Sequence, residues 1–455
     1  MDQLSAAASV FLALEAPGSP QHVGGLVLLD TREAPGFAFE TLLSVADERI
    51  RPAPRFTRRL REVVGGLDRA WLVDDPDFDV RRHVHRVAVP APGGLRELAD
   101  LAGFLFAPPL ERSRPLWEMW WIEGVGQDRV ALLTKSHRCL LDGGVSLGSL
   151  LCDTEPRAGR PPEAGPREPA RQPSDLDVAW RATRNLLGRP AATLRLGRSL
   201  LGRGVGALRS LRDPEAPSLP LWLPKVSFNA RPGPRRALAF SSVPLAAVSE
   251  IRKRFDVGVY AVVLALTGSA VRRYLEARGE LPKKSLVAVI EVAAPAGAEG
   301  ALGDGVVTVG VQWGTDRSDP VARLLRIQRA VTKAKSGAKK QEAQLLTQAG
   351  EAMVPGFLGL VMKSFGAAGA ALARPGNAFV SSVRGTSLPL YVGGARIEAL
   401  YPLSILAPTQ GLDVTALAHC GRIDIGFTVD PDLVPDPWQL AEGIPLALSE
   451  LLAAA

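Results

Sequence analysis

Apolar positions recur along the chain with two periods. In "HVGGLVLLD", "RRHVHRVAVP", "LWEMWWIEGV" and "RVALLTKS" they alternate or run together among β-branched and aromatic side chains, the pattern of strands. Between them "LRELADLAGFLF" carries the i, i+3, i+4 spacing of an amphipathic helix. The later chain repeats the mixture. "RALAFSSVPL", "SLVAVIEVAA", "VVTVGVQWG", "RIEALYPLS", "LDVTALAHCG" and "RIDIGFTVD" read as strands. "LAAVSEIRKRF", "VYAVVLALTGSAVRRYLEARG" and "PVARLLRIQRAVTKAK" read as helices, with Gly279 as the stop of the second. Interleaved strands and helices predict α/β layers in both parts of the chain.

Two proline-rich stretches interrupt this patterning. Asp153 to Asp177 is rich in proline and charge and almost free of large apolar side chains, so it cannot bury enough surface to order itself. Asp213 to Arg236 is the second. The division predicted is 1–152, an intervening 153–236, and 237–455. Within the middle segment Trp180, Leu187, Leu194, Leu201 and Leu208 recur every seven residues among arginines with no acidic residue between them. A helix over 180–212 is basic and amphipathic, suited to an anionic membrane surface or to packing its leucines on the body of the protein; both readings stay open.

The net charge of +7 favours anionic partners without choosing among them. Nucleic acid is disfavoured, because no recognition motif or set of stacking aromatics accompanies the arginines. Cys139, Cys152 and Cys420 show no CxxC and no ligand-like spacing, which points to a reducing compartment, no disulfide framework and no metal. His83 and His85, two apart, are expected on one side of a strand, with no third ligand in view. The opening "MDQLSAAASVFLALEAPG" has an acid where a leader needs basic residues and reads as a first helix. The apolar run "MVPGFLGLVMKSFGAAGAALA" is interrupted by Pro355, Lys363 and Ser364 and reads as a buried or interfacial helix. A cytoplasmic protein, peripheral at the inner membrane or a lipid droplet, is expected.

The chemistry-bearing stretch is "LLTKSHRCLLDGGVSLG". The strand "RVALLTK" leads into His137, and helical spacing resumes beyond Gly144, so the motif sits in a strand-to-helix loop, where α/β proteins collect reactive groups. His137 is a candidate general base near neutral pH. Asp142 is placed to hold the loop through an arginine partner, and Gly143 permits close approach of backbone or substrate. A second reading takes Gly144, Ser146 and Gly148 as a nucleophile elbow, with Asp413 and His419 completing a serine hydrolase triad. It is disfavoured, because the apolar strand ends before His137 instead of directly before the serine.

Residues 109–151, with "PLERSRPLW" followed by "HRCLLDG", resemble the bacterial wax ester synthase/diacylglycerol acyltransferase family, whose motif is HHxxxDG. The likeness extends from "LSAAASVFLALEAPGSPQHVGGLVLLD" to "GRIDIGFTVDPDLVPDPWQLAEG". It implies two chloramphenicol-acetyltransferase-like domains around a central channel, with acyl-CoA as co-substrate, diacylglycerol or a long-chain alcohol as acceptor, and no other cofactor. It also implies that the second motif histidine takes the acceptor proton. That position is Arg138, a group that stays protonated and only donates, so it is expected to polarise the thioester carbonyl or hold a CoA phosphate. His137 is then the remaining candidate for proton transfer. Tyr260 and Ala261 replace the family's Asn-Asp, "SSVRGT" replaces S-N-V-P-G-P at Ser382, Arg384 and Thr386, and Asp304 and Asp413 stand where asparagines are expected. A catalytically impaired relative that binds acyl-CoA or lipid as a regulator is the alternative. Trp117 and Trp120 are expected in sheet packing, with a channel role as the other option.

Overall fold

The computed structural model of the chain describes residues 2–63, 66, 68–141, 145–156, 174, 180, 184, 223–293, 306–337 and 376–455. The opening segment forms strand β1 (Asp2–Gln3) and helix α1 (Ala6–Leu14), whose N-cap Ser5 hydroxyl accepts the Ala8 N–H. Then follow β2 (His22–Asp30), α2 (Phe39–Ile50), α3 (Pro54–Thr57), β3 (Arg58–Arg61), β4 (Trp71–Asp74), β5 (Val84–Ala88), α4 (Leu95–Phe106), β6 (Trp117–Glu123), β7 (Arg129–His137) and α5 (Leu147–Leu151). The later chain forms β8 (Ala237–Pro244), α6 (Leu245–Phe255), α7 (Val259–Ala277), β9 (Val287–Ala293), β10 (Val306–Gln312), α8 (Pro320–Gly337), β11 (Ala378–Arg384), β12 (Tyr391–Val392), β13 (Ala395–Leu403), β14 (Leu412–His419), β15 (Arg422–Val429) and α9 (Trp438–Ala453).

Gly279 terminates α7 as its position predicts. With φ +68° it lets the Glu280 N–H reach the Leu275 carbonyl at 2.8 Å, closing the last turn. Helix α7 is buried almost all round, from Ala261 to Leu275. Among the described residues no single helix is long and apolar enough to cross a membrane. The pair α6 and α7 passes such a test jointly but bends by 106° at its junction.

Two six-stranded sheets result, β12-β13-β2-β7-β6-β5 and β10-β9-β11-β14-β15-β8, with a small sheet β1-β4-β3 beside the first. The spatial halves differ from the segments 1–152 and 237–455, because β12 and β13 come from the later segment yet extend the first sheet. Strand β13 pairs antiparallel with β2 from Arg396–Asp30 to Leu403–Gly24. Most of 153–236 lies outside the described residues, as does the run 353–373. Of the basic segment, Trp180 and Arg184 are described and both are exposed.

The second sheet turns Val414, Ala416, Ile423, Ile425 and Phe427 toward α7 and α9, forming the larger core. Its other face meets the edge of the first sheet at β13. A Cβ on Gly426 would lie 2.1 Å from the Pro402 carbonyl oxygen, so only glycine admits this approach. The edge N–H groups of β13 are capped from the opposite sheet: Leu400 N–H donates to Asp424 Oδ2 at 2.9 Å and Ser404 N–H to Thr428 Oγ1 at 3.4 Å. Nearby, Leu26, Leu133, Trp120, Phe106, Phe240 and Tyr401 close an apolar core along the seam between the halves.

Candidate active site

His137 is the last residue of β7. Its backbone then turns into one 3-10 turn, Arg138–Leu140, before α5 begins behind its N-cap Ser146, so the strand-to-helix loop stands where the pattern puts it. The His137 ring is 1% exposed. Its Nδ1 accepts the Cys139 N–H at 3.2 Å, which leaves the neutral ring's hydrogen on Nε2. Nε2 faces Glu15 Oε2 at 3.9 Å without a hydrogen bond. Burial, and then the nearby Arg112 guanidinium, push the imidazole down to about 3.

Glu15 is the carboxyl at this site that the sequence did not single out. It follows α1 directly and accepts from Arg112, which also bonds Glu62. Its only sequence signal is a lone acid ending an apolar helix, beside a "PLERSRPLW" run that supplies the arginine. On the neighbouring strand His22 is paired in register with His137, and their ring centroids lie 6.2 Å apart. His22 is equally buried, and burial, Lys135 and His137 hold it well below the usual imidazole range. Lys135, two residues earlier on the same face, gives its ammonium to the carbonyls of Leu105 and Pro108 and lies 3.6 Å from Glu118. Burial brings it down to about 8.

Arg138 is half-buried and sets its guanidinium carbon 5.3 Å from the Phe11 ring centre. Its N–H donates to the carbonyl of Gln21 at 2.9 Å, and Gln21 holds a left-handed φ of +55°. The Gln21 amide bonds the Ser19 hydroxyl at 2.6 Å, and that hydroxyl donates to the Leu406 carbonyl at 2.8 Å. The turn after β7 is thereby tied to the loop after β13, and a strained residue sits in the tie. Asp142, Gly143 and Asp304 lie outside the described residues.

Other expectations change. His83 lies outside the strand, after a 3-10 turn, stacks on Trp117 with centroids 4.4 Å apart, and bonds the Trp117 carbonyl through Nδ1 at 2.9 Å. His85 instead neighbours Trp120 at 5.5 Å. Trp117 and Trp120 are on opposite faces of β6, so the two histidines do not share a side, because the strand begins only after His83. Among the described residues no group of three or more histidine, cysteine or acidic side chains is placed to hold a metal. The hydrolase triad fails on geometry. Asp413 and His419 lie six residues apart on the one strand β14, about 20 Å at strand rise, and cannot bond each other. Ser146 is used in capping α5.

A cleft of about 450 Å3 opens elsewhere on the seam, between the first turn of α4 and α9, floored by Phe240 and Trp438 and crossed by the Arg96–Glu442 ion pair. None of the residues around His137 lines it.

Two sheets built this way, with a histidine ending a central strand at their seam, define a chloramphenicol-acetyltransferase-like acyltransferase of two halves. The same architecture occurs in the starter condensation domain of rhizomide synthetase, with a TM-score of 0.54 at 14% identity over 100% of this chain and 94% of that one. The profile of the wax ester synthase/diacylglycerol acyltransferase catalytic domain matches residues 4–263, and that of the family's C-terminal domain matches 302–452. A Mycobacterium tuberculosis protein provisionally named as a diacylglycerol O-acyltransferase is 32% identical over 99% of this chain and 90% of its own length. The wax ester synthase/diacylglycerol acyltransferase of Marinobacter aquaeolei VT8 superposes with a TM-score of 0.70 at 25% identity, over 99% of each chain. The chain belongs to the wax ester synthase/diacylglycerol acyltransferase family, a family of acyltransferase enzymes.

Proposed function

We propose that the protein moves a long-chain acyl group from acyl-CoA to a hydroxyl of diacylglycerol or a long-chain alcohol, at the seam beside the turn that follows β7. The observation that carries this is family membership over the whole chain, from the first helix to the last. In the reaction the acceptor oxygen attacks the thioester carbon, the C–S bond breaks, and the acceptor's proton ends on the CoA thiol. Neither a metal nor a covalent enzyme intermediate is required.

Arg138 is assigned to substrate: its guanidinium donates hydrogen bonds and is suited to the thioester oxygen or a CoA phosphate. Two roles are open to His137, taking a proton or bracing the turn. Its surroundings favour bracing, since Nδ1 is engaged with Cys139 and Nε2 carries the hydrogen. Proton transfer through His137 requires the ring to exchange that bond for substrate. Asp142 is assigned to holding the loop and Gly143 to admitting the substrate close to the backbone. The basic segment 180–212 is assigned to an anionic membrane surface, which gives a protein of the cytoplasm a peripheral seat on the inner membrane or a lipid droplet.

Thiol release from a long-chain acyl-CoA, followed with a panel of acceptor alcohols, tests the reading. Wild type is expected to turn over with a lipid hydroxyl. Arg138→Ala is expected to raise KM for acyl-CoA, and His137→Ala to lower kcat while leaving the fold intact. A silent wild type that Arg138→His switches on establishes the impaired, regulatory reading instead. Liposome sedimentation with and without residues 180–212 tests the membrane seat, and binding that ignores the deletion rejects it.

A further inference from the structure

The second sheet presents a row of polar residues to the seam that the turn at His137 does not use. Val414 and Ala416 of β14 enter the core beneath, so Asp413 and Thr415 point to the opposite, seam side. By the same alternation Phe379 of β11 and Glu291 of β9 share that face, since Ala378, Val380, Ile290 and Val292 are core residues. Asp413 accepts a hydrogen bond from the Thr415 hydroxyl at 3.0 Å, and the Ser404 hydroxyl lies beside it. Its register partner across β15 is Thr428, whose hydroxyl takes the Ser404 N–H. Glu291 adds a like charge from β9, and Tyr260, at the start of α7, feels both carboxyls while donating to the Val380 carbonyl at 2.5 Å.

The position of this acid relative to the turn follows from strand register. Leu403 pairs with Gly24, and Gly24 with Lys135. Ser404 therefore comes level with Val23 and Ser136, one residue short of His137 and two strands away, about 10 Å. The bonds through Gln21, Ser19 and Leu406 join the same two places. Asp413 is buried, while Glu291, on the same face two strands over, is exposed at the rim of that face. The Asp413 carboxyl sits among hydroxyls, with a second carboxyl on the same face of the sheet. Burial and the Glu291 charge raise it to about 8, against the Thr415 and Ser404 hydrogen bonds.

We infer that Asp413 performs the proton transfer of the acyl exchange. This rests on the acyltransferase reading above and deepens it. In ionised form the carboxylate takes the proton of the acceptor hydroxyl as its oxygen bonds the thioester carbon; when the C–S bond breaks, the same carboxyl returns that proton to the leaving thiolate. The count of protons closes without a second imidazole, and Arg138 serves as the fixed cation of the site.

The test is the pH–rate profile of thiol release by the full-length protein and by Asp413→Asn, a variant that keeps the hydrogen-bonding shape and removes the titration. Wild type is expected to speed up with rising pH along a single ionisation between pH 6 and 9. Asp413→Asn is expected to lose about 10²- to 10⁴-fold in kcat, the usual worth of general acid–base catalysis, with KM for acyl-CoA little changed and the rising limb gone. An Asn variant within threefold of wild type that keeps the limb overturns the assignment. If the variant does not fold, as judged by circular dichroism, Asp413→Glu takes its place, and a limb that this change does not shift, or a flat wild-type profile from pH 6 to 9, overturns the proposal. Failure of the underlying reading looks different: wild type then releases no thiol with any acceptor at any pH, and both inferences fall together.

Discussion

Gly426→Ala tests how the two halves are held. The added Cβ falls 2.1 Å from the Pro402 carbonyl oxygen and 3.2 Å from its carbon, both backbone atoms that no side-chain rotation can move. Ordinary contact begins near 3.4 Å, so β13 and β15 must separate by about 1.3 Å. That displacement stretches the Leu400–Asp424 bond, now 2.9 Å, past hydrogen-bonding range and leaves a buried carboxyl short of a donor. Loss of one hydrogen bond to a charged group costs about 1.5–3 kcal/mol. Weakening the Phe240–Tyr401 stack, with centroids 4.6 Å apart, adds roughly 1 kcal/mol. A total of about 2.5–4 kcal/mol is a large share of the ~5–15 kcal/mol typical of a folded domain. Guanidinium unfolding followed by circular dichroism reads it as a lowered midpoint. Gly148→Ala, whose methyl meets nothing within 4 Å, is the control and is expected to be neutral or mildly stabilising. If Gly426→Ala unfolds within about 1 kcal/mol of wild type, edge-to-face contact does not hold the seam and the reasoning fails.

Three further outcomes are expected. Asp413 has a folded-state value near 8 against 3.8 for the ordinary group, so the folded chain keeps a proton that the unfolded chain gives up. Wild type should therefore lose stability relative to Asp413→Asn as pH rises from about 4 to 8, on the order of 6 kcal/mol at most, and match it below pH 4; parallel melting curves across that range contradict this. Trp117→Ala removes a fully buried ring and its 2.6 Å bond to the Phe56 carbonyl, and should cost about 3–5 kcal/mol in urea unfolding. Cys139 is fully buried with its thiol pushed well above the usual range, so iodoacetamide on the native protein should label the half-buried Cys420 and spare Cys139, as read by peptide mass mapping.

Much of this architecture was legible because its strands carry their own signature. Strands such as β7 and β14 alternate core and seam residues, and α4 fits its amphipathic run residue for residue. Strand β11 was not legible: "AFVSSVR" is too polar to announce itself, and it is a strand because parallel partners, β9 and β14, claim both its edges. Short β3 and β4 lack the length for a periodic signal. Helix α9 carries an internal Pro445, which reads as a stop where packing overrides propensity. At the site, the motif located His137 correctly in a strand-to-helix turn, but burial and tautomer are properties of its neighbours Glu15, Arg112 and Cys139, 122 residues upstream in the first case. Asp413 was visible only as a departure from a family pattern and as a member of the hydrolase triad that the geometry rejects. Its setting depends on Ser404 and Glu291, which no local reading connects to it.

The strand that the later segment lends to the first sheet has a consequence for synthesis on the ribosome. β2 emerges early, yet the partner for its outer edge ends at Leu403, so at roughly 5–20 residues per second that edge waits about 20–75 s for completion. Throughout that interval a run as greasy as "GLVLL" offers open backbone groups to any passing chain. Nascent protein should thus lean on holding chaperones until translation is nearly finished, and the first sheet can be completed only once most of the polypeptide exists.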